Sequence, residues 1–318
     1  MRRNDVVVIT GASSGIGRAT AHEFAKRGAQ LVLAARGAAA LEDTAVECER
    51  LGARAIVVTA DVSESGAADE IVDAALAEFG TIDVWVGAAS VYAYGTFERT
   101  PPDVFHHIIE TNLFGQVEAA RAVLPVFRRQ GAGTFIPIAS VYGKTTAPNV
   151  SAYVASKWAT IGFALSLSHE LHGSGIAVCT VLPSTIDTPI HSHAANFTGE
   201  NVNPIPPLVD PGRVARAIVR LTRRPRPVTV IGQSQRIFIP LQYLSARCYS
   251  FVIRSSWRLF ALRGGTVTPH PGTVFDSDPQ SNAVTGGWRS GWVRAGLALG
   301  ALAAAAIALR SRETGPAR

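Results

Sequence analysis

The chain has 318 residues, 47% of them apolar and 17% charged, which excludes whole-chain disorder and allows a core of ordinary size. The formal charge of +6 is unevenly placed: residues 1–212 carry 14 basic and 21 acidic side chains, residues 213–318 carry 16 and 3. An acidic body with a cationic, apolar tail points to attachment at something anionic, with phospholipid and nucleic acid the candidates.

Cys48, Cys179 and Cys248 are far apart and in no metal-like spacing, so neither a disulfide framework nor a zinc site is indicated, and no metal is expected. The opening MRRNDVVVIT enters a β-branched run directly, with no long apolar stretch after Arg2-Arg3. Neither a secretory nor a twin-arginine signal is read there, and a cytoplasmic catalytic body is expected.

Short apolar runs at 6–10, 30–34, 54–59, 82–86, 133–139, 177–182 and 228–231 alternate with helical patterns at 17–27, 38–51, 65–79, 102–130, 152–172 and 211–221. Near-continuous apolar strands separated by helices imply a parallel sheet covered on both faces. The expected fold is α/β, a doubly wound, Rossmann-type sheet forming one catalytic domain over residues 1–232.

The pattern changes after Gly232. Residues 233–268 combine large apolar side chains with Arg247, Arg254 and Arg258, which share one helical face, so a substrate lid or a membrane-interface helix is expected. Pro269, Pro271, Gly272 and Pro279 suggest a linker over 269–288. Residues 289–312 include an uncharged stretch from 295 to 309. Counted from Trp292 to Leu309, a helix would be about 27 Å long against a hydrocarbon core of about 30 Å, so this is the candidate transmembrane or anchoring helix.

TGASSGIG, residues 10–17, follows the first predicted strand and opens the first predicted helix. Small residues there allow a tight turn and close backbone approach to a pyrophosphate at a helix N-terminus. Gly11, Ser13, Ser14, Gly15, Ile16 and Gly17 are therefore the expected phosphate cradle. The second strand ends in Ala35-Arg36 with no carboxylate. An Arg there suits a ribose 2′-phosphate, which favours NADP(H) over NAD(H). Asp61 is placed to accept from the adenine amino group or to cap the next turn.

Tyr153 and Lys157 stand four apart within a predicted helix, hence on one face, where an ammonium would depress the phenol pKa. Ser140 lies at the C-terminal end of a predicted strand, where ligands of parallel sheets bind. Together with Asp61-Val62 and Asn112 in TNLFG, these motifs in this order resemble the short-chain dehydrogenase/reductase family over about residues 5–232. The resemblance implies that Ser140 and Tyr153 bind the substrate oxygen and that Tyr153 exchanges the proton as hydride moves to or from the nicotinamide. Lys157 would hold the ribose hydroxyls and tune Tyr153, and Asn112 would support a proton-relay water. It further implies that Val62, Pro183 and Ile186 line the cofactor and that Thr188 holds its carboxamide.

Two positions depart from the family pattern: Gly87-Ala88-Ala89-Ser90 replaces Asn-Asn-Ala-Gly, and Pro183-Ser184 replaces Pro-Gly. The expected activity is carbonyl–alcohol interconversion on an apolar, lipid-like small molecule. Its cleft would be completed by residues 191–207 and 236–263, with Phe197, Tyr243 and Phe251 among the apolar groups. Association with a membrane through the C-terminal helix is expected and nucleic acid is not. By resemblance, a homo-dimer or homo-tetramer forms through helices bearing Val117, Phe163 and Leu167. The competing reading is a non-catalytic nucleotide-binding module that docks a partner at the membrane. His191-x-His193 reads as a pair of loop residues rather than metal ligands.

Overall fold

The computed structural model describes residues 4–232, 238–278 and 282–289. The chain divides into two compact units, Met1–Gly286 and Gly287–Arg318. Six parallel strands make the main sheet: β1 (Val6–Thr10), β2 (Gln30–Ala35), β3 (Arg54–Thr59), β4 (Val84–Gly87), β6 (Gly133–Pro137) and β7 (Ile176–Val178), in spatial order β3-β2-β1-β4-β6-β7. A two-residue strand, β5 (Ala93–Tyr94), pairs with β9 (Ala195–Asn196) outside this sheet. β8 (Thr180–Pro183) pairs with β10 (Val228–Ile231), and a bridge from Ile138 to Val181 joins them to β6. The single strand expected at 177–182 is thus interrupted at Cys179, whose N–H donates to Phe135.

Period-2 alternation explains why every central strand is apolar throughout. Val7, Ile9, Leu31 and Leu33 face one layer, packed against Phe24 of α1 (Gly15–Ala25), Leu41 of α2 (Ala38–Arg50) and Ile218 of α8 (Pro211–Leu221). Val8, Val32 and Trp85 face the other, against Ile71 of α3 (Ala67–Phe79), Val123 and Phe127 of α5 (Gly115–Gln130) and Leu167 of α6 (Ser151–Glu170). The result is the doubly wound, Rossmann-like sheet expected. Leu167, anticipated as an outward-facing position, is buried in this second layer.

The helix anticipated over 102–130 is not continuous. α4 (Pro102–Ile109) and α5 are joined by a π-helical turn, Glu110–Phe114. The wider turn carries Asn112 inward, where it is completely buried. A short helix, α7 (Ile190–His193), follows β8. The 233–268 region forms α9 (Phe238–Leu244) and α10 (Ala246–Ser256), followed by a π turn at Trp257–Ala261. Ser245 breaks the two helices apart and caps the second, its hydroxyl accepting from the Cys248 N–H.

Residues 269–278 and 282–286, expected as a linker, lie on the body of the domain. Val274 is buried beside Val104, Ile108 and Ala152, and such a side chain contributes about 1.5–3 kcal/mol. No helix among the described residues is long and apolar enough to cross a membrane. The candidate span at 292–309 lies outside the described residues.

Candidate active site

A cavity of about 490 Å3 opens along the C-terminal ends of the parallel strands. The glycine loop and Asp61-Val62 line one part of it, and Ser140, Tyr153 and Lys157 line another. Of the residues expected to line the cofactor, Gly11, Ser13, Ser14, Gly15, Ile16, Gly17, Arg36, Asp61, Val62, Tyr153, Lys157, Pro183, Ile186 and Thr188 border this cavity, whereas Asn112, also expected at the cofactor, does not.

The glycine loop is shaped by close packing as much as by torsion. Gly11 has φ +66°, and a Cβ there would lie 2.6 Å from the Ala89 nitrogen. A Cβ on Gly17 would lie 2.0 Å from the Gly11 carbonyl oxygen. The first turn of α1 therefore presses directly onto the end of β1, and only hydrogen fits. Ser14 precedes the helix in extended conformation without a side-chain cap, which leaves the N-terminal N–H groups of α1 to other acceptors. A narrow groove, a helix N-terminus and small side chains fit a dinucleotide pyrophosphate.

Asn112 anchors the far wall. Its Oδ1 accepts from Val91 N–H at 2.8 Å and from the Ser90 hydroxyl at 3.0 Å. Its Nδ2 donates to the Val91 carbonyl at 3.0 Å and to the Ser156 hydroxyl at 3.2 Å. Both acceptor sites and both donors of the amide are thereby satisfied. The side chain ties the loop after β4 to α6.

Tyr153 and Lys157 share one face of α6, with the ammonium 5.4 Å from the Tyr153 ring centroid. Lys157 is 1% exposed and donates from Nζ to the Ile138 carbonyl at 3.0 Å. Burial lowers its pKa to about 7. Burial also pushes the Tyr153 phenol up to about 12, against a hydrogen bond from Ser140 that works in the other direction. The depressed phenol pKa anticipated from the neighbouring ammonium is thus not found: burial raises it, with only the Ser140 hydrogen bond working against the rise, and Tyr153 is held as the protonated acid.

Both positions that depart from the family pattern are closely packed. Gln116 of α5 fills the space over Gly87, where a Cβ would lie 2.0 Å from its Oε1, and its Nε2 donates to the Gly87 carbonyl at 3.3 Å. Ser184 likewise projects over Gly232, where a Cβ would meet its Oγ at 1.9 Å. An amide from a neighbouring helix therefore braces the end of β4.

The rest of the cavity is aromatic, with Tyr92, Tyr94, Tyr142, Tyr249, Trp257 and Phe260 on its wall. Tyr92 packs against Tyr153 with ring centroids 4.3 Å apart and the planes inclined by 53°. The Tyr94 hydroxyl is 2.8 Å from His191 Nδ1, and burial lowers the His191 pKa to about 4, so the imidazole is neutral. Residues 203–207 and the 238–260 helices do border the cavity, but through other side chains than anticipated. Phe251 is 74% and Tyr243 64% exposed, while Phe197 packs behind the wall with Val91 and Val104. The Tyr-x-Tyr spacing at 92 and 94, which sends both rings to one side of an extended segment, is the signal in the sequence for this wall.

Arg36 stands at the end of β2, but its guanidinium is not directed at open space. Nη1 donates to the carbonyls of Val274 (3.0 Å) and Phe275 (2.8 Å), and Nη2 to those of Thr273 (2.7 Å) and Asp276 (3.2 Å). Asp61 Oδ2 is 3.6 Å away, and Asp61 Oδ1 caps the following turn by accepting from Ser63 N–H and Oγ–H.

The family model described as short chain dehydrogenase matches residues 5–198. A bovine protein named dehydrogenase/reductase SDR family member 7B is 38% identical over 203 residues, 62% of each chain. The chain thus spans somewhat under two thirds of that relative's length. An uncharacterized oxidoreductase of Bacillus subtilis, YxnA, is 31% identical over 77% of this chain and 70% of its own. A rat protein named 17-beta-hydroxysteroid dehydrogenase 13 is 32% identical over 74% of both. Among solved structures, an alcohol dehydrogenase from the archaeon Thermococcus sibiricus in complex with 5-hydroxy-NADP superposes with a TM-score of 0.62 at 27% identity, covering 71% of this chain and 95% of that one. A Burkholderia phymatum short chain dehydrogenase/reductase in complex with NAD reaches 0.71 at 24% identity, covering 79% and 97%, and shares the fold. With the glycine cradle, the Ser140–Tyr153–Lys157 cluster and the strand order on one side, and a family match across most of the sheet on the other, this chain belongs to the short-chain dehydrogenase/reductase family.

Proposed function

We propose that the protein is an NADP(H)-dependent oxidoreductase that interconverts a carbonyl and an alcohol on an apolar, lipid-like substrate. The observation that carries this reading is one cavity bordered by a phosphate cradle, by Ser140, Tyr153 and Lys157, and by an aromatic wall. The nicotinamide would supply or accept the hydride. Ser140 and Tyr153 would hold the substrate oxygen between their hydroxyls, and Tyr153 would deliver its proton there as charge develops. A phenol held near 12 is in the acid form, the form that donates the proton when a carbonyl is reduced. Lys157, poised near 7, can hold or release a proton behind it and donate to ribose hydroxyls. Asn112 acts as a positioning residue for the wall that faces Tyr153.

Arg36 and the absence of a carboxylate at the end of β2 support NADP(H) over NAD(H). The aromatic wall supports a substrate with an apolar body, and a neutral Tyr94–His191 pair gives it one polar contact. Exposed Leu244, Phe251 and Leu259 alternate with exposed Arg247, Arg254 and Arg258, which supports contact with an anionic lipid surface. A homo-dimer or homo-tetramer follows from family membership as a further proposal.

An NADPH-oxidation screen over ketones and aldehydes of graded chain length tests the reading, with Tyr153→Phe as control. The Phe ring keeps the packing against Tyr92 and removes the proton, so turnover should fall by about 10²–10⁴ with the fold intact. Cofactor binding without turnover across the panel would favour the non-catalytic module instead.

A further inference from the structure

The acidic residues of the cationic tail are unevenly placed. Residues 213–318 contain three, Asp276, Asp278 and Glu313, and two of them fall in the segment that lies across the cofactor cleft. Ser277, Asp278 and Asn282 line the same cavity as the glycine loop.

The contacts of this segment coincide with the groups that a dinucleotide needs. The Ala283 carbonyl accepts from Gly15 N–H at 3.1 Å, at the first residue of α1, where a phosphate oxygen would sit. The Asn282 carbonyl accepts from Arg18 Nη1 at 2.5 Å, beside the same loop. The carbonyls of 273–276 engage both terminal nitrogens of Arg36, each twice, where a ribose 2′-phosphate would bind. Farther along, Gly286 N–H donates to the Asp187 carbonyl, next to Thr188. A row of carbonyl dipoles therefore faces the anion-binding donors of the cleft, and the Asp278 carboxylate lies 3.8 Å from His193 on the same cavity. A terminal guanidinium nitrogen carries two N–H groups, and both of Arg36's already have acceptors. Phosphate oxygens brought to the same donors would meet these carbonyls at contact distance, with like charge.

We propose that residues 275–278 and 282–286, hinged at the anchored pair Thr273-Val274, form an autoinhibitory strap over the dinucleotide's anion-binding groups, and that NADP(H) must displace the strap to bind. The inference rests on the dinucleotide reading above. Val274, buried in the core, anchors the near end. Beyond Val274 the strap is held to Arg36, Arg18 and Gly15 through polar contacts, so cofactor entry moves this part of the chain. Contact through backbone carbonyls makes the strap insensitive to single side-chain replacement, and a covalent lock is the informative perturbation.

A Cβ on Gly37 would lie 3.6 Å from the Ser277 Cβ, within the range of a disulfide, and Gly37 has ordinary extended torsions. The test is the full-length chain carrying Gly37→Cys, Ser277→Cys and Cys248→Ser, the last because Cys248 is exposed while Cys48 and Cys179 are buried. NADPH affinity is measured by fluorescence for the oxidised and dithiothreitol-reduced forms of this same variant. Oxidation should raise the Kd at least ten-fold, and reduction should restore it. A smaller rise, no change or tighter binding on oxidation overturns the strap. In the unaltered chain, hydrogen exchange gives a second readout: NADPH should accelerate exchange at 275–278 and 282–286, and protection there would mean a roof over bound cofactor and overturn the proposal. Failure of the reduced variant and the unaltered chain to bind either NADPH or NADH would overturn the dinucleotide reading itself. Binding with the strap unmoved would overturn the strap alone.

Discussion

Replacement of Asn112 by Ala separates the role that the structure gives this side chain from the one that family resemblance suggests. Val91 lies outside any strand, and its N–H and C=O are both paired to the Asn112 amide. Truncation orphans both in a site with no solvent exposure, at about 1–3 kcal/mol for each buried group. Water entering the vacated space recovers part of this, which leaves a loss of about 2–4 kcal/mol. At roughly 2–4 °C per kcal/mol for a domain of this size, the midpoint should fall by about 5–15 °C. Ser156→Ala, which removes the 3.2 Å bond from the amide and the 2.8 Å bond that its hydroxyl donates to the Tyr153 carbonyl within the helix, should cost about 1–2 kcal/mol. The assay is thermal and urea unfolding of the three proteins, with NADPH oxidation followed in parallel. An Asn112→Ala protein that melts within 2 °C of the parent, yet turns over a hundred-fold more slowly, would refute the reasoning. The amide would then act in the chemistry.

Two other perturbations exploit the same geometry. Lys157 titrates near 7 in the fold against 10.5 unfolded, so the unfolded chain binds more protons between those values and stability rises with pH across that window. Lys157→Met removes this dependence: its margin in melting temperature over the parent should be largest at pH 7 and shrink toward pH 9.5, and a constant margin would mean that the ammonium is not desolvated. Gly87→Ala drives Gln116 from its place and should cost about 1–3 kcal/mol by overpacking. In a Gln116→Ala background the same change should cost at least about 1 kcal/mol less, which a double-mutant cycle by urea unfolding measures.

Features that depend on local sequence period are legible in the sequence. The alternation of Val7, Val8 and Ile9, and of Leu31, Val32 and Leu33, sends apolar groups to both faces, and only a doubly covered parallel sheet uses that. The glycine loop and the Tyr153–Lys157 pair announce themselves because small residues at a βα turn, and a phenol one helical turn from an ammonium, are short-range patterns. Long-range and phase-dependent features are not legible in this way. Arg36 finds its acceptors some 240 residues away in sequence, which no local pattern encodes. The π turn at Glu110–Phe114 has no compositional mark, so the periodicity predicts one long helix across it. Ser245 resets the helical phase between α9 and α10, which turns Phe251 to solvent and Trp257 inward. The sign of the Tyr153 shift escapes the sequence because helical spacing reveals a neighbouring charge but not the degree of burial that raises the pKa.

The wider turn between α4 and α5 also bears on how this protein can change over time. A π turn holds one residue more than an α turn over nearly the same rotation, so deleting a residue from 110 to 114 would restore ordinary helix with the flanking turns left in phase, while the residues within the turn would be rotated to new positions. Asn112, in the middle of the turn, would be swung away from Val91, while Gln116 beyond it would stay over Gly87. Insertions and deletions, tolerated in most surface connections, should therefore be absent from this stretch in any functional descendant, although Phe114 within it is exposed.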